Sequence, residues 1–408
     1  MEKTKKAPRL RFPGFTDDWE QRKLGDLYEI NNERNKDLIG YDKTFSIATM
    51  TYKDEGNGAA DSSLTNYKVL RIGDIAFEGH TNKEFRYGRF VANDVGNGIM
   101  SPRFSTLRPI KEMPVSFWKY YIHYEPVMRK ILVCSTKAGT MMNELVPSDF
   151  FAQSILVPSA EEQEKIGEYF ATLDNLITLH QRKLDIVKQY KQGMLQKMFP
   201  KEGEKVPEIR FPGFTGDWEQ HKLKTLMDFS NGFNGDSEFY GKGIPYISVM
   251  DILNNDYITY ECIRGKVNID EKTLSRFSVE YGDVLFQRSS ENVEDAGTSN
   301  VYISERPAAF GGFVIRGKKT TEYDAYFIKN LLSSKSIRRQ IMSKAQGAQH
   351  INVSQEILSD VVVTVPSLSE QRWIGRAFVN LDNLITLYQR KLDQIKLYKQ
   401  GLLQQMFV

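Results

Sequence analysis

The chain has 408 residues, 40% of them hydrophobic and 26% charged, which is enough apolar material for packed cores and excludes a disordered polyelectrolyte. A net charge of +3 carries no nucleic-acid signature of its own, because sequence-independent phosphate attraction calls for a clearly basic domain. No apolar run of about 18 residues is present to span a bilayer and the first residues lack a signal-peptide core, so a cytoplasmic protein with no membrane partner is expected.

Internal repetition governs the reading of every element. Residues 10–27, LRFPGFTDDWEQRKLGDL, recur at 209–226 as IRFPGFTGDWEQHKLKTL. Residues 162–199, EQEKIGEYFATLDNLITLHQRKLDIVKQYKQGMLQKMF, recur at 370–407 as EQRWIGRAFVNLDNLITLYQRKLDQIKLYKQGLLQQMF. Between these ends, residues 28–140 and 227–347 share little beyond Gly73-Asp74-Ile75-Ala76-Phe77 and Gly282-Asp283-Val284-Leu285-Phe286. One unit is written twice, with shared ends framing two divergent middles.

In the first unit, Phe12, Phe15 and Trp19 are expected to plug a core, as are Phe211, Phe214 and Trp218 in the second, since both halves keep them. Residues 67–72 predict a strand and 115–132 a helix. Ser159, just after Pro158 and three residues before Glu162, has capping-box spacing. The helix it starts carries Ile166, Phe170, Leu173, Ile177, Leu184 and Val187 on one seam, continuing to Met194 and Met198. At 1.5 Å per residue such a helix is roughly 57 Å long and needs a partner along its length. Residues 200–205, polar and holding Pro200 and Gly203, form the hinge between units.

The second unit predicts a helix over 324–343 and a strand over 361–365. Ser367 and Glu370 repeat the capping spacing, and Ile374, Phe378, Leu381, Ile385, Leu392 and Ile395 repeat the seam, with Lys399 interrupting it where Lys191 interrupts the first. The first helix is acidic early (Glu161, Glu162, Glu164, Glu168, Asp174) and basic late (Arg182, Lys183, Lys188, Lys191, Lys197), which favours antiparallel pairing with its sister; Arg372 and Arg376 offset the second helix's early acids. Residues 300–350 carry nine Lys and Arg (Arg306, Arg316, Lys318, Lys319, Lys329, Lys335, Arg338, Arg339 and Lys344) against Glu305, Glu322 and Asp324, a candidate basic patch or a solvated face.

Enzymatic chemistry finds no support. Between Gly235 and Gly241-Lys242-Gly243 stand five residues where a phosphate loop has four, and Gly243 replaces the hydroxyl that would reach magnesium, so a turn is expected. His80, His123, His180, His221 and His350 show no zinc-ligand spacing, and Cys134 and Cys262 lie far apart without a CxxC. Asp270-Glu271-Lys272 holds an acid-x-lysine fragment without the further carboxylates that metal-dependent cleavage requires. A non-catalytic chain with no metal of its own is expected.

The lead-ins Ile155-Leu156-Val157-Pro158 to Glu162-Gln163 and Val363-Thr364-Val365-Pro366 to Glu370-Gln371, preceded by Gly139-Thr140 with Asn143 and by Gly347 with Ile351-Asn352, resemble the conserved regions of type I restriction-modification specificity (S) subunits. The resemblance runs the length of the chain. It implies an α+β fold with target-recognition domain 1 (1–155), conserved helix 1 (156–199), linker (200–208), target-recognition domain 2 (209–364) and conserved helix 2 (365–408), the helices forming an antiparallel coiled coil with pseudo-twofold symmetry. It implies a non-catalytic subunit that reads a bipartite double-stranded DNA target, with the helix pair as spacer and docking surface. The implied partners are two methyltransferase (M) subunits and restriction (R) subunits, which would carry S-adenosylmethionine, ATP and Mg.

Base readout then belongs to the divergent middles, in the loops after the two Gly-Asp strands. In the first these offer His80, Thr81, Asn82, Lys83, Arg86, Tyr87 and Arg89; in the second, Gln287, Arg288, Ser289, Ser290, Glu291 and Asn292, with Gln349 and His350 beside the basic stretch. Leu176, Leu179, Leu384 and Leu387 lie off the seam and are expected to widen the apolar stripe toward a methyltransferase subunit. The competing reading is a coiled-coil adaptor that presents two protein-binding domains and binds no DNA.

Overall fold

In a computed structural model, the described residues are 7–53, 61–347 and 350–407, the side chains of 61 and 62 excepted. The chain divides into two compact units, residues 1–180 with 391–408 and residues 181–390. Each unit therefore contains the start of one long helix and the end of the other, and the 200–208 linker lies inside the second unit.

Each unit holds a four-stranded antiparallel sheet of the same order. In the first, Tyr28–Ile30, Ser105–Pro109, Ile75–Glu78 and Arg89–Ala92 lie side by side; in the second, Met227–Asn231, Val314–Lys319, Val284–Gln287 and Ser299–Val301. The register places Ile75 opposite Leu107 and Val284 opposite Gly317, which sets the two middles in one frame. The conserved ends pair as well: Glu20–Lys23 runs antiparallel to Ser154–Val157, and Glu219–Lys222 to Val362–Val365. The second unit adds a sheet of Lys266–Val267, Tyr240–Ile247, Ala308–Phe310 and Ser278–Val279. Residues expected as a turn at 235–243 thus enter a strand at Tyr240.

Both helices expected inside the middles are broken in two. Residues 115–132 form Val115–Tyr121 and Glu125–Ser135, because Pro126 has no N–H to continue the ladder and suits the first turn of a new helix. Residues 324–343 form Ala325–Leu332 and Lys335–Lys344, separated by Ser333 and Ser334, whose hydroxyls compete with helical bonding.

The long helices are Ala160–Lys197 and Leu368–Met406. Ser159 and Ser367 accept the N–H of Glu162 and Glu370, at 3.3 and 3.4 Å. The reciprocal half of the expected capping box is absent. Instead the Glu162 carboxylate takes both arms of Arg11 (2.8 and 2.7 Å), and Glu370 takes those of Arg210 (2.6 and 2.8 Å). These arginines belong to the repeated opening motif, so that motif docks onto the helix start through a buried bidentate pair.

Inside unit one, Asp174 pairs with Lys399 and Phe170 meets Phe407; inside unit two, Lys191 pairs with Asp382 and Phe199 meets Phe378. In each unit the numbering rises on one helix as it falls on the other, so the helices are antiparallel there. Ile166, Phe170 and Leu173 share a core with Trp19, Phe117 and Phe407, as Ile374 and Phe378 do with Trp218, Phe327 and Phe199. The first turns of each seam are therefore buried in the core of a unit as well as against a helix. Leu184 and Leu392 are buried, while Ile177, Val187, Leu381, Ile385 and Ile395 are half-buried. Gly167 permits the close approach: a Cβ there would lie 2.4 Å from Ser116 Oγ, and one on Gly375 would lie 2.2 Å from Asp324 Oδ1. Among the described residues, no helix is long and apolar enough to cross a membrane.

Candidate nucleic-acid interface

The Gly-Asp turns are built alike. Gly73 and Gly282 take φ of +92° and +89°, which a side chain would resist. The next aspartates are buried and hold the turn, Asp74 accepting the N–H of Arg71 at 2.8 Å and Asp283 that of Glu280 at 3.0 Å. Each turn launches a central strand whose far end delivers a loop to the surface.

In the first unit that loop exposes His80, Thr81, Asn82, Lys83 and Arg86. Asn82 shapes it, its side-chain oxygen accepting the N–H groups of Glu84 and Phe85, both at 2.8 Å. Tyr87 is half-buried against the core, and Arg89 lies on a strand with its Nε 2.6 Å from Glu78. Those two belong to the framework rather than to the loop.

The second loop departs further from expectation. Gln287 is the last residue of its strand, 6% exposed, with Nε2 donating to the Ser289 carbonyl at 2.9 Å. Ser290 is buried, and Ser289–Ser290 pairs with Ile351–Asn352. Strand pairing with a segment distant in sequence withdraws these side chains. Arg288, Glu291 and Asn292 remain exposed, as does His350; Gln349 lies outside the described residues.

The cations of 300–350 do not form one patch. Arg316 is buried and donates to the Ser278 carbonyl, Arg338 donates to the carbonyls of Glu294 and Ala296, and Arg306 pairs with Glu261 beneath the Tyr260 ring. Burial lowers the basicity of Arg316 and Arg338. Lys329 sits 4.2 Å over the Tyr257 ring, where burial and nearby Lys191 bring its pKa down to about 8.

Sequence reasoning missed two features. One is the partnership of Lys191 and Lys399 with Asp382 and Asp174; the tyrosine hydroxyls of Tyr257 and Tyr120 also donate to those aspartates, and burial pushes both phenols up. The other is Phe313, 71% exposed on a turn of the second unit, for which Gly311-Gly312 was the available signal. On the helices, Leu176, Leu179, Leu384 and Leu387 are exposed by 39 to 46%. Among the described residues, no cluster of His, Cys, Asp and Glu could hold a metal ion.

Residues 16–189 and 215–397 both match the family described as "Type I restriction modification DNA specificity domain". The chain belongs to that family. The specificity-domain match is tandem, in keeping with the two sheets of equal order. The MjaVIII specificity subunit of Methanocaldococcus jannaschii is 22% identical over 97% of this chain and 92% of its own length. The EcoKI specificity subunit of Escherichia coli is 23% identical over 66% of this chain and 59% of its own length. Among solved structures, the type I S subunit of M. genitalium covers 98% of this chain and 99% of its own, with a TM-score of 0.58 and 15% identity. A chain from a type I R-M system, described for complex assembly and conformational transition, covers 97% and 98% at a TM-score of 0.56 and 17% identity. These two share the fold.

Proposed function

We propose that this chain is the DNA sequence-specificity subunit of a type I restriction-modification complex and reads a bipartite target, one half-site with each recognition domain. The observation that carries the reading is the pairing of two equal frames with two different loop sets. The same sheet order, Gly-Asp turns and Arg–Glu anchors recur, while exposed His80, Lys83 and Arg86 stand in one half and Arg288, Glu291 and Asn292 in the other. A scaffold that is constant where it holds and variable where it faces solvent suits base readout.

In this reading the chain is non-catalytic and cytoplasmic. It docks two methyltransferase subunits and restriction subunits, and these carry S-adenosylmethionine, ATP and Mg. Exposed Leu176, Leu179, Leu384 and Leu387 support docking on the helices, being equivalent positions on two equivalent helices. Replacing residues 28–140 with the middle of another specificity subunit tests the proposal, with modified sites mapped in cells carrying the whole system. One half-site should change and the other remain; a change in both would remove the independence of the two readers.

A further inference from the structure

We propose that Arg288 and Phe313 are a base-reading pair of the second recognition domain, the guanidinium meeting a guanine edge and the ring a thymine methyl in the major groove. The inference rests on the DNA-specificity reading above and names the residues that set one half-site.

Phe313 is exposed on a turn that cannot fold back to cover it. The Phe313 carbonyl accepts the N–H of Arg288 at 3.0 Å, Val314 N–H bonds Gly311 at 2.9 Å, and Gly311 N–H bonds Ile247 at 3.0 Å. The turn is also too crowded for side chains. A Cβ on Gly311 would lie 2.5 Å from the Tyr246 hydroxyl, and one on Gly232 would lie 2.1 Å from the Gly311 carbonyl. A lone exposed apolar residue is ordinary on protein surfaces. A phenylalanine held outward by a rigid, glycine-packed turn and tied to an adjacent arginine is not.

Arg288 supplies the polar half. Its backbone is fixed by two bonds, to the Phe313 carbonyl and from Val353 N–H at 2.9 Å, so the side chain starts from a defined place. Its guanidinium donates to the Gly312 carbonyl at 3.3 Å and, among the described residues, makes no ion pair. Arg306, by contrast, is ion-paired with Glu261, and Arg316 and Arg338 are buried or half-buried as they bond backbone carbonyls, whereas Arg288 is exposed. Arg288 also lines an open cleft with Asn231, Gln346, Asn352, Gln355 and Glu356. Guanidinium and amide groups are those that match guanine and adenine in the major groove, carboxylates match cytosine, and a phenylalanine ring fits a thymine methyl.

The equivalent positions differ between the halves. By strand register, Gly79 stands where Arg288 does and Arg103 where Phe313 does. The pair thus sits at frame positions that change while the frame does not, as a determinant of one half-site must.

The test uses the full chain in complex with its methyltransferase subunits and duplexes carrying each single base-pair change in the modified site. Arg288→Ala should lower discrimination about tenfold or more at one base pair of the half-site that replacing 28–140 leaves unchanged. Phe313→Ala should do so at a neighbouring T·A pair, with Phe313→Leu intermediate. The other half-site should be unaffected, and the melting temperature of each variant should match the parent, because both side chains are exposed. Equal weakening on all sequences with a shallower salt dependence would make Arg288 a phosphate contact and overturn the proposal, as would unchanged discrimination in both variants. Parent complex that shows no preference for any bipartite site would instead overturn the specificity reading and this proposal with it.

Discussion

Lys191 is ion-paired with Asp382 across the two long helices, and the repeat reproduces the contact as Lys399 with Asp174, 2.5 Å apart. The copies differ in burial: the Asp382 side chain is 6% exposed and that of Asp174 is 36% exposed. Both aspartates also accept a tyrosine hydroxyl, from Tyr257 and Tyr120.

That difference sets the expected cost of breaking each pair. Lys191→Ala leaves a buried carboxylate whose remaining hydrogen bond, among the described residues, comes from Tyr257, and should destabilise the second unit by about 3 kcal/mol, whereas Lys399→Ala leaves a partly hydrated one and should cost about 1 kcal/mol. Denaturant melts of the single variants check the order. Equal losses would show that burial is not what separates them.

Phe407 and Phe199 occupy equivalent places, each at the end of one long helix and inside a domain core. Phe407 lies 5.1 Å from Tyr121 and 5.7 Å from Phe170 in ring centroid distance, and both neighbours are fully buried. Phe407→Ala should cost about 3–5 kcal/mol, the usual range for a buried ring. Hydrogen exchange should place the loss in residues 1–180 and 391–408, not in the other unit.

His123 gives an acid-sensitive contribution. It is half-buried beside Phe85, with Nδ1 2.9 Å from the Phe90 carbonyl, and burial holds its pKa below the ordinary imidazole value despite Glu78 and Glu84 nearby; Arg89 pushes the same way as burial. As pH falls below about 6.5 the unfolded chain takes up a proton that the folded chain resists. Stability should therefore fall from that point until the folded histidine also protonates. His123→Phe should flatten this limb in melts between pH 7.5 and 5.5, and an unchanged slope would remove His123 as its source.

Lys83 and Arg86 are exposed beside the first Gly-Asp strand. As readers of the first half-site they should set its sequence, so Lys83→Ala or Arg86→Ala should lower discrimination at one base pair there. Equal weakening on all sequences, with the salt slope lower by about one, would make the residue a phosphate contact instead.

Leu176, Leu179, Leu384 and Leu387 are solvent-facing, so replacing any one by Ser should change stability by no more than about 0.5 kcal/mol. Co-purification with the methyltransferase subunit should nevertheless drop sharply in the Leu179→Ser, Leu387→Ser double variant. Full retention of the partner would take these leucines out of the docking surface.

The duplicated unit and the antiparallel long helices were legible in the residues themselves, because 3.6-residue periodicity, cap spacing and helix charge asymmetry are recorded along the chain. Tertiary structure decided the rest. Glu162 spaces as a capping-box residue, but Arg11, 151 residues away, claims its carboxylate. Gln287 reads as a loop donor until its strand closes the sheet and buries it. Phe313 is one apolar residue among many in the sequence, and a crowded glycine turn holds it in solvent. Burial and ion pairing depend on which distant segments meet, and one-dimensional spacing records no such distances.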